Sequence, residues 1–300
     1  MGDVNATSEL WDQPEKYMNA QELVATVKNL PPVPNAALRL IGLLDKADSE
    51  NDDIVQAIRF DNVLTAKLLR ACNSPYFGFS EPISSVDQAV LVLGHQQILH
   101  IVLTVAFGST MAVPLPGAAA ESAQLWQHSL TTAMAAEVVA NAGLEVNVES
   151  SVAFTAGLLH DFGKLVMAQA IDAPMQAVIQ GRILLDGLSR TAAEREVVGT
   201  DHAEVGACLL KSWNLPEEVV EAVANHHQPT LEPRPLLSAV VHVANCAAHL
   251  TSATPGDNGS TVSVNERVAA VLRLTPEAME RLLVEVREST ESVEQFLARA

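Results

Sequence analysis

Three cysteines in 300 residues, Cys72, Cys208 and Cys246, leave little scope for covalent cross-linking. Their odd number, wide separation and lack of any CxxC spacing exclude a disulfide framework or a zinc ribbon, so reduced core thiols are expected. Aromatic residues are scarce as well, at 4%. Positive charge is equally thin: 18 lysines and arginines face 36 aspartates and glutamates, for a formal net charge of -18. Such a field repels polyanions, which argues against binding a nucleic acid polymer but leaves room for a small anionic ligand held by a few converging cations. Long apolar runs are missing too. The greasiest stretch, "AVLVLGHQQILHIVLTVAF", is broken by His95, Gln96, Gln97 and His100, short of the ~18 uninterrupted apolar residues of a membrane span. No membrane association is expected. The opening "MGDVNATSELWDQPEKYM" has neither the cationic start nor the apolar stretch of a secretory signal, so a cytoplasmic location is expected.

What the chain has in quantity is hydrophobic side chains, 48% of the total, enough for one large core or two moderate ones. They recur at spacings of three and four, with Ala and Leu in excess, which is an all-α pattern. Ser84, three residues before Asp87, and Asp201, three before Glu204, predict helix starts. Gly94, Gly143 and Pro229 predict helix ends, with Gly94 marking a turn between two buried helices. "VPLPGAAA" from Val113 reads as a linker. The expected organisation is therefore a polar segment (1–19), an amino-terminal helical subdomain (20–114) and a second helical subdomain (115–300). "SATPGDNGSTVS" from Ser252 reads as a surface loop. The amphipathic "TPEAMERLLVEVRESTESVEQFLARA" is expected to pack either on the subunit's own core or on a second copy, which would make a homo-oligomer.

In the amino-terminal half, "DNVLTAKLLRACNSPYFGF" ends in an Asn-Ser-Pro turn. Asn73, Ser74, Tyr76 and Phe77 read as a helix stop whose rings pack under the next element. Groups suited to catalysis lie further on. A metal-activated phosphohydrolase needs imidazoles and carboxylates that hold one or two divalent cations and leave a position for water, whose pKa then falls toward neutrality. The candidates are His128 in "LWQHS", His160 and Asp161 in "GLLHDFGKL", His202 in "TDHAEVG", and His226 with His227 in "ANHHQP". Such sites accept iron, manganese, zinc or nickel, with geometry and supply deciding among them. Each residue alone has an ordinary reading: His128 a half-buried ring bonded to a carbonyl, His202 an exposed first-turn histidine, and His226 and His227 imidazoles drawn to a helix end by its dipole. Neighbours on a helix diverge by ~100°, so His160 and Asp161 need a distortion to face one point. Gly163 is expected to supply it. Lys164, four after His160, is either a solvated charge or a phosphate-binding cation.

Six segments, "LPPVPNAALRLIGLLD", "DNVLTAKLLRACNSPYFG", "ISSVDQAVLVLG", "LWQHS", "AGLLHDFGKL" and "HHQP", occur in this order over about residues 22 to 250. Together they resemble the HDOD family of bacterial signalling proteins, relatives of the HD-domain hydrolases. The resemblance implies an all-α, multi-helical bundle and a regulatory role in signal transduction, acting through a signalling protein partner or a small phosphate-containing ligand. It also implies a catalytic site that has often decayed. "HDFGK", "HAEVG" and "HH" are similar, further, to the HD-GYP cyclic-dinucleotide phosphodiesterases. That likeness implies His128, His160 and Asp161 as ligands of a first divalent metal, and His202, His226 and His227 as ligands of a further one. It implies Lys164 as the lysine that contacts substrate phosphate. Asp161 and Lys164 would then be the catalytic pair of a metal-dependent phosphohydrolase acting on nucleotides or cyclic dinucleotides.

The sequence departs from that pattern in three places. Asn245 stands where the HD pattern has its last aspartate ligand, and an amide offers a carbonyl oxygen without the charge that offsets a cation. Gln124 stands where some HD-GYP enzymes have a glutamate ligand. The "GYP" stretch is replaced by "MAQAIDAPMQAVIQGRILL". Asp161 is left as the one carboxylate assigned to the site, lower metal affinity is expected, and a regulatory protein is favoured over a phosphohydrolase.

Overall fold

The computed structural model describes residues 17–27, 34–43, 51–111, 119–232, 236–251 and 263–297. Every regular element among them is a helix. In chain order these are α1 Ala20–Thr26, α2 Asn35–Leu43, α3 Asn51–Arg59, α4 Asn62–Cys72, α5 Val86–Leu93, α6 His95–Met111, α7 Ala119–Asn141 and α8 Ser150–Leu159. There follow α9 Phe162–Ala170, α10 Ala173–Asp186, α11 Arg190–Val198, α12 His202–Ser212, α13 Glu217–Asn225, α14 Leu237–Thr251, α15 Glu266–Leu272 and α16 Pro276–Leu297. The proposed linker at 113–118, the loop at 252–262 and the segment 1–16 lie outside the described residues.

Local chemistry sets where these helices start and stop. Asp61 and Asp201 cap α4 and α12, each accepting from two backbone N–H groups of the first turn. For α5 the cap is Ser85, one residue after the expected Ser84. Ser85 is extended, and its hydroxyl accepts from Gln88 N, while Ser84 instead donates to the Gln88 side chain. Gly94, at φ 77, separates α5 from α6 as expected. Asn73 closes α4: its amide donates to Leu69 O and Ile83 O, and its Oδ1 accepts from Ile83 N at 2.7 Å. Two of these three hydrogen bonds tie the helix stop to the entrance of α5, and the third closes the last turn of α4.

One apolar core runs from Leu23 in α1 to Val286 in α16. Helix α6 links the two ends of the molecule, packing on α2 and α4 on one side and on α7 and α8 on the other. Its Phe107 meets the edge of the Phe162 ring with centroids 5.7 Å apart. Helices α7, α8 and α14 form the centre. A Cβ on Gly157 would lie 2.8 Å from Thr132 O and 2.9 Å from Ala133 Cα, so glycine is what lets α7 and α8 approach backbone to backbone. Helix α14 is buried along most of its length and is apolar nearly all round, as a central helix must be. Helix α16 lays Leu282 and Val286 against α7 and α14, the own-core packing of the two expected arrangements. Among the described residues no helix is long and apolar enough to cross a membrane.

Candidate metal centre

The centre begins with an interruption. Helix α8 ends at Leu159 and α9 starts at Phe162, with His160 still helical and Asp161 rotated to φ -100, ψ 10. That break lets adjacent side chains face one point, which an unbroken helix forbids. Gly163, expected to cause the distortion, lies inside regular α9 and has another task. A Cβ there would stand 1.9 Å from His202 O and 2.6 Å from Gly206 N. The glycine permits backbone contact between α9 and α12, and that contact carries His202 to the break.

Asp161 is the hub, 1% exposed, and its two oxygens face different groups. Oδ2 lies 3.2 Å from His160 Nε2, 3.6 Å from His128 Nε2 and 2.7 Å from Lys164 Nζ. Oδ1 lies 3.4 Å from His202 Nε2 and 3.8 Å from His226 Nε2. His227 Nε2 stands 2.9 Å from His202 Nε2. Two ligand sets result, His128 with His160 and Asp161, and His202 with His226 and His227, each with its donor atoms within 4.8 Å of one another. All six histidine and aspartate positions singled out in the sequence therefore meet in one place, contributed by α7, the α8–α9 break, α12 and the end of α13.

Backbone bonds decide which ring nitrogen is available. His160 Nδ1 donates to Gly157 O at 2.8 Å and His226 Nδ1 donates to Val223 O at 2.7 Å. Each ring thereby caps the helix it terminates and turns a bare Nε2 inward. His202 Nδ1 donates to Glu194 Oε2 at 2.6 Å, and the same oxygen accepts from His202 N. A carboxylate behind an imidazole fixes the tautomer and raises the basicity of the opposite nitrogen. The expected alternative for His202, an exposed first-turn ring, is not what forms, since the residue is fully buried.

The protonation states suit a cation. Burial, then the neighbouring His227 and His160, hold His226 well below the ordinary imidazole range, against the pull of Asp161. Burial does the same to His128, opposed by Asp161 and reinforced by His160. For His227, burial and then His202 bring the value down to about 2. Burial pushes Asp161 up, but His160, Lys164 and His202 outweigh it and keep the carboxyl well below its usual range. Burial thus favours the neutral rings of His128, His226 and His227, and the surrounding groups favour the Asp161 anion, the forms that bind metals. His128 Nε2, His160 Nε2, His226 Nε2, Asp161 Oδ1 and Asn245 Oδ1 are all buried without a hydrogen-bond partner, a cost that coordination would remove. Ligand bonds of ~2.0–2.1 Å meeting at 90–110° put donor atoms roughly 3–3.4 Å apart; Asp161 stands at 3.2 Å from His160 and 3.4 Å from His202, and slightly wider, at 3.6 and 3.8 Å, from His128 and His226. The residues fit a pair of divalent ions: His128, His160 and Asp161 Oδ2 would hold one, and His202, His226, His227 and Asp161 Oδ1 the other.

Helix α14 supplies groups that the sequence pattern did not reveal. His242 donates from Nδ1 to His226 O at 2.9 Å and accepts Asn265 N at 3.1 Å, and His249 stacks on His128 with centroids 4.3 Å apart. Asn245 lies between them on the same face, three residues from one and four from the other. Glu194 adds a second carboxylate behind the ligand groups: it is 3% exposed and sits one hydrogen bond behind His202. Nothing local marks it, since it is one of four charged residues in α11. Gln124 is exposed. Lys164 reaches the centre through Asp161, three residues before it, because the helix that would have aligned it with His160 is broken.

The described residues thus form an all-helical bundle that brings two histidine groups together around one aspartate. Residues 30–229 match the HDOD domain family, and the chain belongs to that family. A crystal structure of an HDOD domain protein from Geobacter sulfurreducens is similar, at 27% identity and TM-score 0.67, over 93% of this chain and 95% of that one. A candidate phosphohydrolase from Shewanella amazonensis is similar at 25% identity and TM-score 0.59, over 88% of this chain and 97% of that one. In sequence, an uncharacterised protein of Treponema pallidum is 27% identical over 249 residues, 79% of this chain and 45% of the relative. Ribonuclease Y of Thermus thermophilus is 31% identical over 130 residues, 43% of this chain and 17% of the relative. The chain thus spans less than half the length of these curated relatives.

Proposed function

We propose that this chain is a regulatory HDOD protein in which the metal centre recognises a phosphate-bearing small ligand. The observation that carries the reading is the division of Asp161, with one oxygen turned to each histidine group. Two divalent cations there would supply Lewis-acid polarisation of phosphoryl oxygens. The chain's own residues do the rest. Glu194 orients His202, the Gly157 and Val223 carbonyls orient His160 and His226, and Lys164, 14% exposed at its side chain, offers a cation beside Asp161 for a phosphate oxygen. With Asn245 neutral, Asp161 would be the one carboxylate in direct reach of any bound cations, so a loaded site would keep positive charge for a phosphate anion in a molecule that is otherwise strongly acidic.

A second reading, hydrolysis of a phosphoester, is supported by the completeness of the histidine set and by the Lys164–Asp161 pair. One experiment separates the two. Manganese-loaded protein is titrated with inorganic phosphate and with a cyclic dinucleotide by calorimetry, and turnover of bis(p-nitrophenyl) phosphate is followed in parallel. The regulatory reading expects metal-dependent binding that Lys164→Ala weakens by about tenfold or more, without turnover. Turnover abolished by Asp161→Ala would establish the hydrolase instead. Absence of any metal-dependent phosphate binding would overturn both.

A further inference from the structure

The polar residues that interrupt the greasiest stretch of the sequence play no part in the metal centre, and neither does the "NSPYF" turn. In the folded chain Gln97 and His100 of the former meet Tyr76 and Phe77 of the latter. Tyr76 and Phe77 from the turn, Gln97 and His100 from α6, Met134 from α7 and Phe154 from α8 enclose a cavity of about 80 Å³. His100 is 8% exposed. One face of its ring is stacked on Phe154, with centroids 3.9 Å apart and planes 14° from parallel. Glu137 Oε2 lies 3.7 Å from Nδ1, with Gln96 bonded to the other Glu137 oxygen, so the nearby carboxylate favours the ring proton on Nδ1 without a direct hydrogen bond. Nε2, at the opposite edge, is buried and has no hydrogen-bond partner.

A buried acceptor with nothing to accept costs free energy, and His100 lines the cavity with Gln97 and Thr104 on one hand and the apolar Phe77, Ile101, Leu130, Met134 and Phe154 on the other. A water could satisfy Nε2 but would leave the apolar walls uncovered, whereas a flat ring with one donor serves both. We propose that the cavity is a binding site for a small, neutral, flat heterocycle that donates one N–H hydrogen bond to His100 Nε2. The space is smaller than the ~150 Å³ that takes a benzene ring. It therefore admits a five-membered ring or the pyrrole edge of a fused one, while the remainder lies over Tyr76, 39% exposed at the rim, and Gln97. Azoles and indoles have this shape and chemistry. The site is distinct from the metal centre, yet it shares two helices with it: Phe154 and His160 lie six residues apart at α8, and Met134 and His128 six apart on α7.

The full chain, with its metals, is titrated with indole, pyrazole and benzofuran by calorimetry, and the His100 ring nitrogens are followed by nitrogen-detected NMR. Benzofuran has the shape of indole but no N–H. Indole and pyrazole are expected to bind saturably and to shift the Nε2 resonance of His100, and benzofuran to bind about tenfold more weakly than indole, the loss of one buried hydrogen bond. His100→Phe is expected to remove the preference for indole over benzofuran while leaving metal content unchanged, and Met134→Trp to block both by filling the space. If His100→Phe does not fold, the benzofuran comparison on the unaltered chain and the Met134→Trp variant decide the matter. Water alone at the site, shown by no saturable binding, would overturn the proposal. Equal affinity for indole and benzofuran in the unaltered chain would do so too.

Discussion

Glu194 shows how a single side chain outside the ligand set governs it. It accepts both the backbone N–H and the Nδ1–H of His202 while buried in the protein. Burial raises its carboxyl, but His202 and Arg190 more than offset that and hold it below its ordinary value. Glu194→Gln keeps the shape and one acceptor yet removes the charge behind the imidazole. Metal affinity is expected to fall by about 10- to 100-fold with folding intact, as calorimetric titration with manganese or zinc would show. An unchanged affinity would reduce Glu194 to a structural bond. Asn245→Asp tests the opposite direction. It adds an anionic oxygen where a buried, unpartnered carbonyl oxygen now stands, and it is expected to tighten metal binding by roughly tenfold or more, since ligand charge count tunes affinity.

At the scale of elements, the centre depends on a break and on a contact. Between α8 and α9 the break turns two consecutive residues toward one point, and Gly163 allows α12 to close on it. Gly163→Ala would place a methyl group 1.9 Å from His202 O, a clash with backbone that no rotamer relieves. The variant is expected to lose about 2–4 kcal/mol of stability in urea titration, together with the second ligand group, because His202 must move. A variant of normal stability would remove the contact from the account. These elements also mark what the sequence could disclose. Helix content, the turn at Gly94 and the cap at Asp201 rest on local chemistry and were legible. The residue types of the ligand set were legible too, because histidines and an aspartate with few acids nearby stand out. The partnership of Glu194 with His202 was not, nor was the stacking of His249 on His128, since both arise from helices brought together by packing. Gly163 drew notice for a local reason, and the actual reason is a long-range approach.

Across the whole molecule, the buried imidazoles make stability depend on pH in a known direction. Burial brings His100 down to about 4 and His227, helped by His202, to about 2, and it lowers His128 and His226 as well. In the unfolded chain the same rings take up protons near 6.5. The unfolded state therefore binds more protons over that interval, so stability is full above about pH 6.5 and falls as pH drops below it. His100 alone contributes of order 2 kcal/mol between pH 6.5 and 5. The depressed carboxyls of Asp161 and Glu194 add a further loss only at lower pH. The urea midpoint of metal-free protein is expected to fall steeply between pH 7 and 5, and His100→Phe to flatten part of that slope. A midpoint independent of pH in this range would mean that the rings are open to protons in the folded chain.

The central claim, that one aspartate joins two histidine groups into a paired metal centre, is tested most directly by metal stoichiometry. Protein purified from medium containing manganese, iron and zinc is analysed for bound metal before and after Asp161→Asn. About two ions per chain are expected in the unaltered protein, one for each ligand group, and both are expected to be lost on the substitution. No bound metal in the unaltered chain, or two ions retained without the Asp161 carboxylate, would contradict it.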